Sequence, residues 1–170
     1  MLEIFNSLKP FFEDNYRKIS VREYAKLQKI SPPTASKLLN NFKKEELLNC
    51  YKEKIYIYYY ASRENDLFVN LSRVYWFQVF SKIGLLEHFE KELINPIIIL
   101  FGSFAKAEIS PKSDIDIAIF SISKKKLDIR RFQDILKREI QLFMFKSKDD
   151  VKNKDLLNSM MNGFVLKGSW

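Results

Sequence analysis

Asp114 and Asp116 stand two residues apart at the start of an otherwise apolar run, where they alternate with Ile115, Ile117 and Ile119. Side chains two apart in a strand share a face, so the isoleucines turn to a core and both carboxylates turn the other way. Carboxylates held that close repel each other, and a divalent cation between them resolves the repulsion. Only hard oxygen ligands are on offer, which favours Mg2+ (or Mn2+), with a bound ligand supplying the remaining oxygens.

A corner suited to phosphate precedes the pair. The β-branched run Ile97-Ile98-Ile99, extended by Leu100 and Phe101, is bounded by Pro96 and Gly102 and reads as a strand buried on both faces. Gly102-Ser103 then breaks it just before a helical turn. Backbone N–H groups at that turn, a glycine that permits close approach and the Ser103 hydroxyl together suit a triphosphate tail. No G-x-x-x-x-G-K-[ST] motif occurs, which argues against a P-loop NTPase.

Gly102-Ser103-Phe104-Ala105, a spacer and Ser113-Asp114-Ile115-Asp116 resemble the signature of the polymerase-beta-like nucleotidyltransferases, and among them the minimal nucleotidyltransferase group. The motif covers Pro96 to Phe120, and the order of elements extends the resemblance to the C-terminus. It implies a nucleoside triphosphate held by Gly102, Ser103, Lys106 and Ser113, with Asp114 and Asp116 as catalytic metal ligands. It also implies attack of an acceptor hydroxyl, on protein, RNA or a small molecule, at the α-phosphorus, with pyrophosphate leaving. The family normally adds a third carboxylate on a neighbouring strand. The strand expected at Ile140 to Phe145 has Gln141 there, a weaker neutral ligand that cannot accept a proton. Glu139, two residues earlier, would share the face of Gln141 and is the candidate substitute; otherwise it is an ordinary solvated residue. Lys106-Ala107 also departs from the family's more usual basic residue followed by glycine. Two functions follow: a metal-dependent nucleotidyltransferase, or a catalytically weak or inactive domain in a DNA-binding regulator or antitoxin-like partner.

The N-terminal sixty residues read as a winged helix-turn-helix. Leu2, Phe5, Leu8 and Phe11 or Phe12 mark an amphipathic helix expected to break or restart at Pro10. Ser20 with Glu23 has the form of a capping box ahead of a helix over Val21 to Gln28. Ser31 before Pro32-Pro33 starts another, reaching Glu46. The runs Leu47 to Tyr51 and Ile55 to Tyr60 form a hairpin, with Tyr56, Tyr58 and Tyr60 expected on its half-buried face against the helices. Were this module to meet DNA, Thr34, Ser36, Lys37 and Asn40 would face the major groove, with Lys43 among the phosphate contacts.

The fold expected is α+β: a winged helix over 1–60, a long connecting helix over 61–93, and a minimal nucleotidyltransferase domain over 94–170, its small mixed sheet flanked by helices. The apolar stripe of the connecting helix, from Leu67 and Val74 through Leu86 and Leu93, is wide enough to suggest a homodimer. In the last domain, Lys124, Lys125, Lys126, Arg130 and Arg131 surround the start of an amphipathic helix, and Ser147 with Asp149 and Asp150 starts a final helix through Val165. Residues 1–60 hold 11 basic against 7 acidic side chains and residues 94–170 hold 14 against 9, so both ends favour anionic partners. Hydrophobic residues make up 46%, which argues against a disordered chain, while no apolar run is long enough to span a bilayer. With one cysteine, Cys50, and one histidine, His88, disulfide scaffolds and histidine-rich metal sites are excluded, and a cytoplasmic protein without membrane contact is expected.

Overall fold

A computed structural model describes residues 2–123 and 125–170, so Lys124 of the expected basic turn lies outside the described residues. The chain forms two compact units, Met1–Ser72 with Ala107–Pro111 and Arg73–Lys106 with Lys112–Trp170.

The first unit contains α1 (Glu3–Glu13), β1 (Ile19–Ser20), α2 (Val21–Gln28), α3 (Pro32–Lys44), β2 (Leu48–Glu53) and β3 (Tyr56–Ala61). The expected interruption at Pro10 does not occur: α1 runs through it. Proline lacks the N–H that would bond to the carbonyl four residues back, at Asn6, and the side-chain amide of Gln28 donates to that carbonyl instead, at 3.1 Å. Phe5, Leu8, Phe11 and Phe12 bury the inner face of the helix. At α2 the Ser20 hydroxyl accepts from the Glu23 N–H at 3.3 Å, as expected of an N-cap. The Glu23 carboxylate pairs with Arg17 at 2.8 Å. Ser31 caps α3 through the Thr34 N–H, with Pro32 and Pro33 filling the first turn, where a missing N–H costs nothing.

β1, β3 and β2 lie side by side, all antiparallel. Here the expected face is reversed. Tyr59 is the buried tyrosine, 1% exposed, with its hydroxyl donating to Asn40 Oδ1 of α3 at 2.9 Å. Tyr56, Tyr58 and Tyr60 share the opposite face. The alternation is right but its parity is off by one residue, which in a strand exchanges inside for outside.

α4 (Asp66–Lys82) and α5 (Leu85–Glu92) replace the expected single helix. Gly84, at φ 78°, takes the left-handed conformation that ends one helix and starts the next, a conformation glycine adopts without a Cβ penalty. Leu67 and Val74 prove exposed, not part of the inward stripe, while Trp76, absent from that stripe, is 3% exposed. Trp76 packs edge-on against Phe104 with ring centroids 4.7 Å apart.

The second unit is built on a sheet with the order β6 (Ile140–Phe145), β5 (Ile115–Phe120), β4 (Ile97–Phe101), β7 (Phe164–Lys167). β5 and β6 are parallel, joined through α7 (Arg130–Leu136), and the other pairings are antiparallel, giving a mixed sheet. Ile115, Ile117 and Ile119 are fully buried; on the other face Ile99, Phe101, Ala118 and Phe120 pack with Met160, Leu156 and Leu157 of α8 (Lys154–Met161). The expected last helix is divided. Ser147 and Asp150 close a capping box on a single 3-10 turn, Lys148–Asp150, and Asn153 caps α8 separately. Val165 belongs to β7, a strand where a fraying helix end is expected. No helix among the described residues is long and apolar enough to cross a membrane.

β7 can reach β4 only because residue 163 lacks a side chain. A Cβ there would meet the Leu100 carbonyl oxygen at 2.5 Å and the Met160 carbonyl oxygen at 2.9 Å, and backbone atoms cannot swing aside. Gly163→Ala is expected to cost about 1–3 kcal/mol by overpacking. Both tryptophans, Trp76 and Trp170, lie in this unit, so a urea titration followed by tryptophan fluorescence reads it selectively. An unchanged midpoint would contradict the packing described.

Candidate functional site

Gly102 closes β4 and opens α6 (Gly102–Lys106) at φ 65°. It lies so close to β5 that a Cβ would collide with the Oδ2 atom of Asp116. Positive φ and close approach together leave glycine as the residue for this position. Asp116 is paired in register with Phe101 on β4 and with Gln141 on parallel β6. Asp114 stands two residues earlier, just ahead of β5, and its Oδ2 accepts from Gln141 Nε2 at 2.8 Å. Gly102, Asp114, Asp116 and Gln141 therefore converge at one end of the central strands.

The electrostatics of this cluster are unfavourable to its own charge. Burial, and secondarily the charge of Asp114, push the Asp116 carboxyl above its ordinary value. The donor set is oxygen only, which fits a hard divalent cation that would relieve the repulsion. Among the described residues no group of three or more His, Cys, Asp or Glu side chains surrounds a metal-sized space. An ion on Asp114 and Asp116 would complete its shell with the Gln141 amide oxygen, water or ligand oxygens. The amide now donates to Asp114 through nitrogen, and rotation would be needed for its oxygen to face an ion.

The remaining candidates are placed as follows. Ser103 is half-buried as the second residue of α6, which is little more than one turn, and Lys106 is exposed at its last position. No hydrogen bond ties either to the aspartates among the described residues. Ser113 is half-buried immediately before Asp114, and its carbonyl accepts from Arg138 Nη1 at 2.8 Å. Glu139 is exposed just before β6, joined to β5 through its carbonyl, which accepts from the Ile115 N–H at 2.9 Å. Ala107 adopts φ 53°, the left-handed region where an alanine is strained and a glycine is not. The alanine found where the resembled family more often has glycine therefore bends the chain at a local cost. In the first unit, Thr34, Lys37, Asn40 and Lys43 are exposed along α3 and Ser36 is half-buried, with Asn40 engaged by Tyr59.

Arg138 is the site residue that sequence reasoning misses. Its guanidinium lies 5.4 Å from the centre of the Phe104 ring and 6.0 Å from that of Trp76 while it holds the Ser113 carbonyl. It thereby fixes the loop that delivers Asp114. The only signal in the sequence is an arginine at a helix-to-strand junction.

Comparison with known proteins gives one match: residues 85–165 fit the family model described as Polymerase beta, Nucleotidyltransferase. That span runs from the start of α5 into β7 and includes every member of the Asp114 cluster. No curated protein and no solved structure matches the chain.

A carboxyl whose folded pKa is raised binds protons more readily in the folded state, so stability is lost as pH rises through that pKa. Asp116→Asn is therefore expected to raise the urea midpoint at neutral pH, without added metal. The gain should disappear on acidification below the ordinary carboxylate value of about 4, where wild-type Asp116 is protonated in both states. A variant less stable than wild type at pH 7 would show that the pair is not repulsive.

Proposed function

We propose that the second unit binds a nucleoside triphosphate with a divalent cation and transfers its nucleoside monophosphate to a hydroxyl acceptor. The observation that carries this reading is the carboxylate of Asp116, pressed against a side-chain-free corner at Gly102 with Asp114 beside it. The match of residues 85–165 to the nucleotidyltransferase family supports the same class of reaction. Asp114 and Asp116 would hold Mg2+ or Mn2+, which when bound offsets phosphate charge and eases departure of pyrophosphate. Gly102 leaves room for the Asp116 carboxylate against the backbone, Ser103 would offer a phosphate a hydroxyl donor, and Lys106 would supply positive charge at the edge of the corner. Arg138 keeps the Asp114 loop in position. Gln141, which donates to Asp114, contributes neither negative charge nor a proton acceptor, and the expected consequence of the missing third carboxylate is slow turnover.

Calorimetric titration of nucleoside triphosphates with Mg2+ or Mn2+ should give binding that requires the metal and is lost in Asp114→Asn/Asp116→Asn. With labelled nucleotide, Gln141→Asp should raise the rate of transfer by restoring a third carboxylate. Absence of binding in the wild type would remove the donor site, leaving a regulator or antitoxin-like partner as the reading.

A second reading concerns the first unit. The order α1-β1-α2-α3-β2-β3, with a three-stranded antiparallel sheet and a capped α3 exposing Lys37 and Lys43, supports a winged helix that meets DNA. Thr34, Ser36 and Lys37 at the start of α3 would approach base edges, and Lys43 a phosphate. Lys37→Gln/Lys43→Gln is expected to weaken duplex binding in a gel shift and to lower the salt slope by up to about two. Equal binding by variant and wild type would assign any duplex affinity elsewhere.

A further inference from the structure

The outward face of the three-stranded sheet carries more aromatic surface than its pairing needs. Tyr58 lies opposite Tyr51 in register, and their rings stack with centroids 5.5 Å apart and planes 19° from parallel. Tyr60 leans on Tyr51 at 6.2 Å and Tyr56 on Tyr58 at 6.5 Å, so the four rings form a continuous row. The helices cover the other face, where Tyr59 reaches Asn40 of α3. On the outward face Tyr56 is 41% exposed and Tyr51, Tyr58 and Tyr60 are half-buried, so each keeps part of its ring in solvent.

Positive charge borders the row. Lys18, just before β1, holds its ammonium 5.0 Å above the centre of the Tyr51 ring. Lys54 is exposed at the turn of the hairpin. Glu53, opposite Tyr56, is the acidic side chain in register with this face. An isolated protein–protein hot spot would favour rings in a recessed apolar pocket. A shallow row of tyrosines with one lysine over Tyr51 and another at the hairpin turn instead matches unpaired bases, which stack on any aromatic face, and a phosphate backbone that seeks cations.

We propose that Tyr51, Tyr56, Tyr58 and Tyr60 form a stacking platform for an unpaired nucleic acid strand, with Lys18 and Lys54 meeting its phosphates. Tyr56, the most exposed of the four and tilted 55° from Tyr58, is the ring best placed to receive a base, and Tyr58 extends the platform behind it. Base identity is not read by stacking, and the platform is accordingly indifferent to sequence. It is separate from the α3 surface that would face a duplex.

The test uses the full chain and fluorescein-labelled single strands, a uridine 12-mer and a thymidine 12-mer, with a mixed-sequence duplex as competitor, read by fluorescence anisotropy. Wild type should bind the single strands with an affinity that falls as salt rises, and the duplex should compete poorly. The two strands distinguish RNA from DNA as the source of the unpaired bases. Tyr56→Ala and Tyr58→Ala should each weaken binding at least about fivefold, while Tyr58→Phe, which keeps the ring, should bind as wild type. Tyr56 is the most exposed of the four, so Tyr56→Ala carries the test even where Tyr58→Ala lowers stability by circular dichroism. The proposal is overturned by absence of single-strand binding in the wild type or by unchanged affinity in Tyr56→Ala. It is also overturned by sedimentation in which the wild type is a dimer and Tyr56→Ala a monomer, which would make the row a contact between copies of the chain.

Discussion

The second unit is organised around a repulsion it cannot relieve alone. Asp114 and Asp116 are brought to one corner, and Asp116 is pressed against backbone at a position where even a methyl group would not fit. The carboxyl of Asp116 is destabilised by burial and by its neighbour. A strand could lower that strain by twisting away from β4, and what prevents this is the apolar remainder of β5. Ile115, Ile117 and Ile119 are fully buried on one face, while Ala118 and Phe120 are locked under α8 on the other. Fully burying such side chains contributes roughly 1.5–3 kcal/mol each, so the strand stays where two carboxylates alone would not hold it. Conflict between local preference and global packing, sustained by the surrounding core, is expected at functional sites.

The corner is held from its other side by polar contacts that carry no negative charge. Arg138 joins the Ser113 carbonyl to the Phe104 and Trp76 rings, which ties the loop ahead of Asp114 to the helix after β4 and to α4. Gln141 donates to Asp114 across the parallel pair. A carboxylate at 141 would add a third like charge and a proton acceptor, whereas an amide partly satisfies the charge already present. In this form the cluster is easier to fold without a cation than a three-carboxylate cluster would be, and it gives up a group able to take a proton from an acceptor. Stability of the ion-free state and chemical competence oppose each other at this one position.

Much of this corner was legible because its signals are local. Alternating isoleucine and aspartate, a glycine after a β-branched run and a strand at Ile140 each declare themselves within a few residues. The parts that were not legible depend on partners distant in sequence. Pro10 stays inside α1, held by the buried face of Phe5, Leu8, Phe11 and Phe12, while Gln28 donates to the carbonyl that Pro10 leaves open, and no property of the Pro10 neighbourhood announces that partner. β7 exists because β4 has an open edge and Gly163 lets the chain approach it. Val165, read by periodicity, fits the end of a helix equally well. Gly84 and Gly163 are both glycines near helix ends, but one is used for its positive φ and the other for its missing Cβ, a distinction that sequence does not carry. Arg138 acquires its role only once Trp76 and Phe104 meet.

The tyrosine strand shows the same limit in its sharpest form, since one residue of parity exchanges its faces. With tyrosine at 56, 58, 59 and 60, either face can be the inner one by composition alone. Volume decides. The inner side already receives Leu48 from β2 and Ile19 from β1, both essentially buried, and the space left over accepts Tyr59 and Ala61. Three tyrosines in that layer would overfill it, and three hydroxyls would need partners where Tyr59 already takes Asn40. The large rings therefore go outward and recover part of their burial by stacking on Tyr51. Solubility alone would be served by threonine or lysine at those outward positions, and a β-strand would accept either on its solvent face. Aromatic rings there leave apolar surface in water, a cost that packing among the four offsets only in part.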